Sequence, residues 1–180
     1  MNESIQLIVF GVFVFLRILT FLISFRHAYL LRLSGNEGHG IFLSCVLMLV
    51  HLLYYVVVYH DMTESMPGRD IEELFYLGLV FLLFSYFVQF FIIYHIREAW
   101  SVLIYIAPRI GMDYSVILSR PRQRYYLYYT GLELLGISMV CGSLSSVIYV
   151  FPIYVLLQLF RIYYEKKLKD GLYLKERQIL

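Results

Sequence analysis

Among the polar residues inside the long apolar runs of this sequence, an arginine, a histidine and a glutamate have side chains that pair ions or transfer protons, and a glutamine can hydrogen-bond to such groups. They are Arg17, His51, Gln89 and Glu133. A charged side chain in the hydrocarbon core of a membrane is costly, so it usually faces the protein interior and has a partner there. Arg17 and Glu133 carry opposite charges. The sequence therefore predicts that they form a buried pair, with His51 and Gln89 in the same intramembrane polar cluster.

This polar cluster is open to three interpretations. In the first, the cluster is a proton relay, an ion relay or a ligand site. In the second, it is an ion pair that orders a helix bundle. In the third, Arg17 is unpaired and extends its charged head to the membrane surface. In the five-span arrangement derived below, Arg17 lies roughly 18 Å from the outer face at 1.5 Å per helical residue. Glu133 lies at about the same depth in a core of about 30 Å, which favours a contact between the two.

Other residue combinations would suit other chemistry. His39 precedes Cys45 by six residues, and a histidine beside a cysteine is a base beside a nucleophile. Glu133 with His51 would serve a different intramembrane enzyme. Histidines on neighbouring helices hold haem in membrane cytochromes, but His51 and His95 lie at different depths and do not fit one haem. The sequence has no metal-ligand spacing, and it predicts no cofactor, no metal site and no nucleic-acid partner.

The composition indicates which elements position these side chains. The chain has 180 residues, of which 61% are hydrophobic, whereas soluble domains have roughly 45–50%. The excess is concentrated in runs of about 20 residues, the length that crosses a hydrocarbon core of about 30 Å. The sequence thus predicts an all-α integral membrane protein whose first partner is the lipid bilayer.

The number of spans depends on residues 125–164, which form either one helix or two helices joined at Gly142–Ser145. One helix of 30 apolar residues would measure roughly 45 Å, about half as long again as the core. Charge favours two helices. Of the 15 Lys and Arg residues, five spans bury Arg17, leave Arg69 outside and place the other 13 in the cytoplasm. Four spans would put seven on each side, which the positive-inside rule disfavours.

The sequence therefore predicts a bundle of about five transmembrane helices, with the N-terminus outside and the C-terminus in the cytoplasm, in the cytoplasmic membrane. The transmembrane domain covers residues 1–164, with spans at 5–25, 41–59, 74–94, 125–141 and 146–164. An interfacial amphipathic helix is expected around Ala99 to Ile106, between helices 3 and 4, with Trp100 at headgroup level. Residues 165–180 form a basic cytoplasmic tail.

Two basic clusters flank the last two spans. They are Arg120, Arg122 and Arg124, and Lys166, Lys167 and Lys169. Both are expected at the membrane surface, where the tail is either a short helix on anionic lipid or a solvated positive flank. Five short-looped spans are too few to enclose a large substrate path. We therefore expect a non-enzymatic channel, transporter or effector subunit that works as a homo-oligomer or with other membrane subunits.

Overall fold

The computed structural model describes residues 3–33, 37–64, 72–96, 104–106 and 122–177. Five α-helices form nearly all of this part, as the sequence predicts. Helices α1 to α5 cover Glu3–Leu33, Ile41–Glu64, Glu72–Ile96, Arg122–Cys141 and Phe151–Arg177. A π-helical turn, Ser146–Val150, leads directly into α5. In a helix the backbone N–H and C=O groups bond to one another, so apolar side chains can cover them without water.

In the described parts of the connections, two three-residue strands lie between the helices. Strand β1 (Glu37–His39) follows α1, and strand β2 (Ile104–Ile106) follows α3; they pair antiparallel. The interfacial helix predicted around Ala99 to Ile106 is therefore wrong over its last three residues. Two β-branched residues and a tyrosine favour a strand once a partner strand is present. Residues 99–103 lie outside the described part of the chain.

Within the described ranges, four helical segments are long and apolar enough to cross a membrane. They are Ser4–Leu33, Ile41–Glu64, Glu73–His95 and Ser146–Lys167. Helix α4, which begins with Arg-Gln-Arg and carries Glu133 in its middle, is not among them. A membrane core requires about 20 helical residues, and both α1 and α5 exceed that length.

Helix α4 occupies the centre of the bundle. It contacts α1, α2, α3 and α5, and among the described side chains from Tyr126 to Cys141, Tyr128 alone is exposed. The other four helices surround it and turn large apolar side chains outward, such as Phe15, Phe87 and Leu156. The helix that is absent from these long apolar segments is thus the one that the others shield.

The chain reverses direction between α4 and α5. Gly142 has a φ of 67°, a left-handed conformation that glycine adopts without strain. The N–H of Ser143 donates to the carbonyl oxygen of Ser138 at 2.9 Å, a bond typical of a helix that ends at glycine. Arg161 then lies 5.0 Å above the ring of Tyr126, so α4 and α5 are antiparallel. The prediction of two helices joined near Gly142 is confirmed.

Helices α3 and α4 touch through their backbones at two glycines. A Cβ atom added to Gly78 would lie 2.7 Å from the carbonyl oxygen of Gly136, and one added to Gly136 would lie 2.8 Å from that of Gly78. Small residues that let helices approach this closely are common in membrane bundles. Ser85 strengthens the same interface by donating to the carbonyl oxygen of Tyr129 at 2.6 Å.

Successive helices alternate in direction. Gln6 near the start of α1 donates to the carbonyl oxygen of Val140 near the end of α4, and Arg17 contacts Glu133 further along, so these two helices are antiparallel. The starts of α1, α3 and α5 therefore share one end of the bundle with the α4–α5 turn. Strands β1 and β2 lie at the opposite end, beside the starts of α2 and α4.

Candidate functional site

Glu133 is the centre of a polar network inside the bundle, and its side chain is fully buried. Its Oε2 atom accepts a hydrogen bond from Nη1 of Arg17 on α1 at 3.0 Å. Its Oε1 atom accepts from the hydroxyl groups of Tyr55 on α2 at 2.6 Å and Tyr86 on α3 at 3.0 Å. The Tyr86 hydroxyl lies equally close to the carbonyl oxygen of Phe13. The carboxylate thus has a donor from each of three surrounding helices.

Arg17 and Glu133 compensate each other's charge. The side chain of Arg17 is nearly inaccessible, and the distance of 3.0 Å between Nη1 and Oε2 is that of an ion pair. The guanidinium carbon also lies 4.7 Å from the ring centre of Phe21, one turn further along α1. A buried charge is strongly destabilising when its partner is missing. Pairing is therefore what allows two charges inside so apolar a bundle.

His51 lies between the two charged groups. Its Nδ1 atom is 3.2 Å from Nη2 of Arg17, and because a guanidinium only donates, Nδ1 must accept. The proton of the neutral ring is then on Nε2, which is 3.5 Å from Oε1 of Glu133 and too distant for a hydrogen bond. The ring of Tyr154 on α5 packs edge-on against His51 with centroids 5.4 Å apart. All five helices therefore contribute to the cluster.

Gln89, the fourth residue of the predicted cluster, is buried on α3, and among the described residues no hydrogen bond joins it to Arg17, His51 or Glu133. In the part of the chain that the structure describes, its Oε1 atom has no hydrogen-bond partner. Tyr55 and Tyr86 occupy the positions beside Glu133 instead. The sequence contains 18 tyrosines, and no spacing distinguishes these two from the rest.

A second polar network, which we name the hydroxyl chain, lies between Glu133 and the α4–α5 turn. Its members are Tyr54, Ser138, Ser146, Ser143 and Asp61. Ser138 Oγ lies 2.6 Å from Tyr54 Oη and 2.8 Å from Ser146 Oγ. Ser146 Oγ lies 2.7 Å from Ser143 Oγ, and Ser143 also donates to Oδ2 of Asp61. Tyr54 is fully buried while Asp61 is partly exposed, so the hydroxyl chain runs from the surface inward.

The basic clusters lie at the opposite end of the bundle. The structure describes the backbone of Arg122, Arg124, Lys166, Lys167 and Lys169; Arg120 lies outside the described residues. The two arginines are in the first turn of α4, and Lys166 and Lys167 are exposed on α5. Because α5 continues without a break to Arg177, residues 165–177 extend this helix and do not form a separate element.

The alternative catalytic and haem ligands are dispersed. Cys45 is exposed on α2, and the side chain of His39 lies outside the described part of the chain. His95 is exposed near the end of α3, whereas His51 is buried in the Glu133 cluster. Among the described residues, no three His, Cys, Asp or Glu side chains are grouped to hold a metal ion.

A crevice lined by Arg17, His51 and Tyr154 borders the cluster, and it leaves no space for a sphere the size of a water molecule. Pockets that bind small organic molecules usually have volumes of about 300–1,000 Å³. The space beside the charged pair is therefore too small for such a ligand, and the arrangement suits ion pairing or proton transfer better than substrate binding.

Comparison with known proteins gives no named family for this chain. The sequence is 27% identical to an uncharacterized protein of Haemophilus influenzae over 168 residues, which cover 93% of this chain and 96% of that protein. No family model matches the sequence, and no solved structure matches it. The similarity to the Haemophilus influenzae protein extends over nearly the whole of both chains. It indicates no activity for this chain, because that protein is uncharacterized.

Proposed function

We propose that this chain is an integral membrane protein that works as a non-enzymatic channel, transporter or effector subunit, either as an oligomer or beside other membrane subunits. The observation that carries this proposal is the charge-balanced network around Glu133, buried on the central helix of the bundle. Soluble monomers rarely expose apolar patches larger than a few hundred Å². Here the four outer helices all expose large apolar side chains, and a bilayer is the solvent that such a surface requires.

The contacts of the cluster favour this role over an enzyme or a haem protein. A general acid or base must come within hydrogen-bond reach of its substrate, but the oxygens of Glu133 already accept from three side chains. Haem iron would need a free imidazole nitrogen. Nδ1 of His51 accepts from Arg17, and Nε2 faces the Glu133 carboxylate.

The position of α4 favours assembly with further helices. Since α4 fills the centre of the bundle, its axis offers no open pore to a solute. Passage of anything larger than a proton would then follow a surface between this chain and another. Exposed aromatic residues on the outer helices, such as Phe42 and Phe87, are of the type enriched at contacts between proteins.

Assembly predicts a mass larger than that of one chain. Native mass spectrometry of the protein purified in a mild detergent should detect a homo-oligomer or a second membrane protein in fixed stoichiometry. A folded single chain with no companion, found in several detergents and in nanodiscs, would contradict the subunit proposal.

The proposed orientation places the α4–α5 turn outside and the strands in the cytoplasm, because 13 of the 15 Lys and Arg residues then lie on the cytoplasmic side. With Cys45 and Cys141 replaced by alanine, a single cysteine at Glu64 should react with a membrane-impermeant thiol reagent in intact cells. A single cysteine at Lys167 should react only after the cells are opened. Both positions are exposed, so accessibility does not bias the comparison.

Labelling of the Lys167 position in intact cells, with the Glu64 position protected, would reverse the orientation. Labelling of both positions in intact cells would contradict the three proposed spans between them, because an odd number of spans places the two positions on opposite sides of the membrane. Extraction of the protein by alkaline carbonate would contradict membrane integration itself.

A further inference from the structure

We propose that the hydroxyl chain is the outer half of a proton path that leads toward the buried carboxylate of Glu133. This inference rests on the proposed membrane orientation, in which Asp61 lies at the outer surface. Three serines join the partly exposed carboxylate of Asp61 to the fully buried hydroxyl of Tyr54. The three oxygen–oxygen distances from Ser143 to Tyr54 are 2.7, 2.8 and 2.6 Å, within the range of O–H···O hydrogen bonds.

Proton transfer along such a chain requires each hydroxyl to accept one proton and release another. Ser143 has one hydroxyl hydrogen and two acceptors in reach, Oδ2 of Asp61 and Oγ of Ser146. When Asp61 takes a proton from the outer water, its carboxyl group becomes a donor to Ser143, which passes its own hydrogen to Ser146. The same exchange through Ser138 brings one proton to Tyr54, which releases its own phenolic proton toward Glu133 when the gap described below is bridged, so that every hydroxyl ends neutral.

The serines can turn their hydrogens without leaving them unpaired. Ser138 has the carbonyl oxygen of Leu134 as a second acceptor at 3.0 Å, and Ser146 has that of Ser143 at 3.1 Å. A buried hydroxyl with only one acceptor would lose a hydrogen bond each time it turned, which is costly away from water. The alternative acceptors therefore lower the energy of the reorientation that follows each proton transfer.

The inner end of the hydroxyl chain lies close to the Glu133 cluster along both helices. Tyr54 is followed directly by Tyr55, which donates to Glu133, and Ser138 lies five residues beyond Glu133, roughly 7.5 Å along α4. In the described residues no hydrogen bond joins the two networks. A relative movement of α2 and α4 must bridge this gap, so the gap is the gate of the path.

Charged and titratable groups surround both ends of the path. On α2 beside Asp61, His60 and Glu64 lie 3.3 Å apart and are exposed, so outer water reaches all three. At the inner end, the groups that face Glu133 are Arg17, His51, Tyr55 and Tyr86. The carboxyl group of Glu133, 3.0 Å from Nη1 of Arg17, is the proton acceptor at the inner end of the path.

Proton uptake by liposomes tests this path. With a potassium diffusion potential, negative inside, and a pH-sensitive dye trapped in the lumen, liposomes that contain the wild-type protein should acidify faster than empty liposomes. Ser146→Ala removes the middle hydroxyl and should reduce the rate to that of empty liposomes. Ser145→Ala is the matched control, because Ser145 donates to the same Asp61 carboxylate but lies outside the hydroxyl chain; it should keep the wild-type rate.

Two further variants guard against a failure to fold. Ser146→Thr retains the hydroxyl and should retain proton uptake, and Ser143→Ala should abolish it as Ser146→Ala does. Thermal unfolding in detergent identifies any variant that is not folded. Equal rates for wild-type and empty liposomes, or for Ser146→Ala and Ser145→Ala, would overturn the proton path. A reversed orientation would be detected separately by the cysteine labelling, so the two failures are distinguishable.

Discussion

Replacing Arg17 or Glu133 with leucine is expected to lower the free energy of unfolding by about 3–5 kcal/mol, because either change leaves the other charge buried without its partner. The two effects should differ in size. Without Arg17, the carboxylate of Glu133 keeps its donors Tyr55 and Tyr86. Without Glu133, the guanidinium of Arg17 keeps only Nδ1 of His51 as an acceptor among the cluster residues. Glu133→Leu should therefore be the more damaging change, in thermal unfolding and in abundance in the membrane.

The double variant Arg17→Leu/Glu133→Leu should recover much of this loss, since hydrophobic residues often replace a buried ion pair without destabilisation. Arg26→Leu provides a matched control, because Arg26 is an exposed arginine on the same helix; it should change stability by less than about 0.5 kcal/mol. If the two single effects add in the double variant, the residues are not coupled, and the ion pair contributes nothing to stability.

The same double variant distinguishes the relay from the structural interpretation of the cluster. If Glu133 receives protons from the hydroxyl chain, the folded double variant should lose proton uptake in liposomes. If the pair only orders the bundle, the double variant should fold and retain uptake. Retention of proton uptake by the folded double variant would show that Glu133 is not part of the proposed path, whatever the Ser146 variants show.

The contact between Arg17 and Glu133 could be anticipated because a bilayer restricts the possibilities. Few charges lie inside the apolar runs, the rise of the helix fixes their depth, and opposite charges at one depth have a strong reason to meet. Depth gives no information about which way a side chain faces around its helix. This is why the inclusion of Gln89 in the cluster rested on depth alone. It is also why the sequence did not predict Tyr55 and Tyr86, whose hydroxyl groups reach Glu133 from α2 and α3.

Other features depend on contacts that no local pattern records. The pairing of β1 with β2 joins residues 37–39 to residues 104–106, and three residues on each side carry too little signal to predict it. The central position of α4 has a signal in the sequence, since a helix that carries Glu133 and begins with two arginines is poorly suited to face lipid. The hydroxyl chain depends on the α4–α5 turn. The break between two helices at Gly142 could be predicted from the sequence, but the contact of this turn with Asp61 could not.

Alanine at Gly78 or Gly136 is expected to be more damaging than a single added methyl group usually is. A methyl group at Gly78 would lie within 2.9 Å of the carbonyl oxygen of Gly136, the Cβ atom of Met139 and the N atom of Val140. Two of these are backbone atoms, so relief requires α3 and α4 to separate. Overpacking of this kind typically lowers stability by about 1–3 kcal/mol, and leucine at either position should prevent folding.

Two other helical glycines provide matched controls for this prediction. A Cβ atom at Gly11 or Gly131 would have nothing within 4 Å, so alanine there should be neutral or stabilise the protein by about 0.4–1 kcal/mol through the unfolded chain. Thermal unfolding of the four alanine variants in one detergent compares them directly. Similar effects at all four positions would show that α3 and α4 do not touch at Gly78 and Gly136.

The glycine contact should also be coupled to the Glu133 cluster. Separation of α3 from α4 draws Tyr86 away from Glu133, which its hydroxyl reaches at 3.0 Å. Once Gly136→Ala has separated the helices, Tyr86→Phe has less of that hydrogen bond to remove. The combined loss of stability in Gly136→Ala/Tyr86→Phe should therefore be smaller than the sum of the single losses. Additive losses would mean that the helix contact and the buried carboxylate are maintained independently, and that α3 does not position Tyr86 through its glycine.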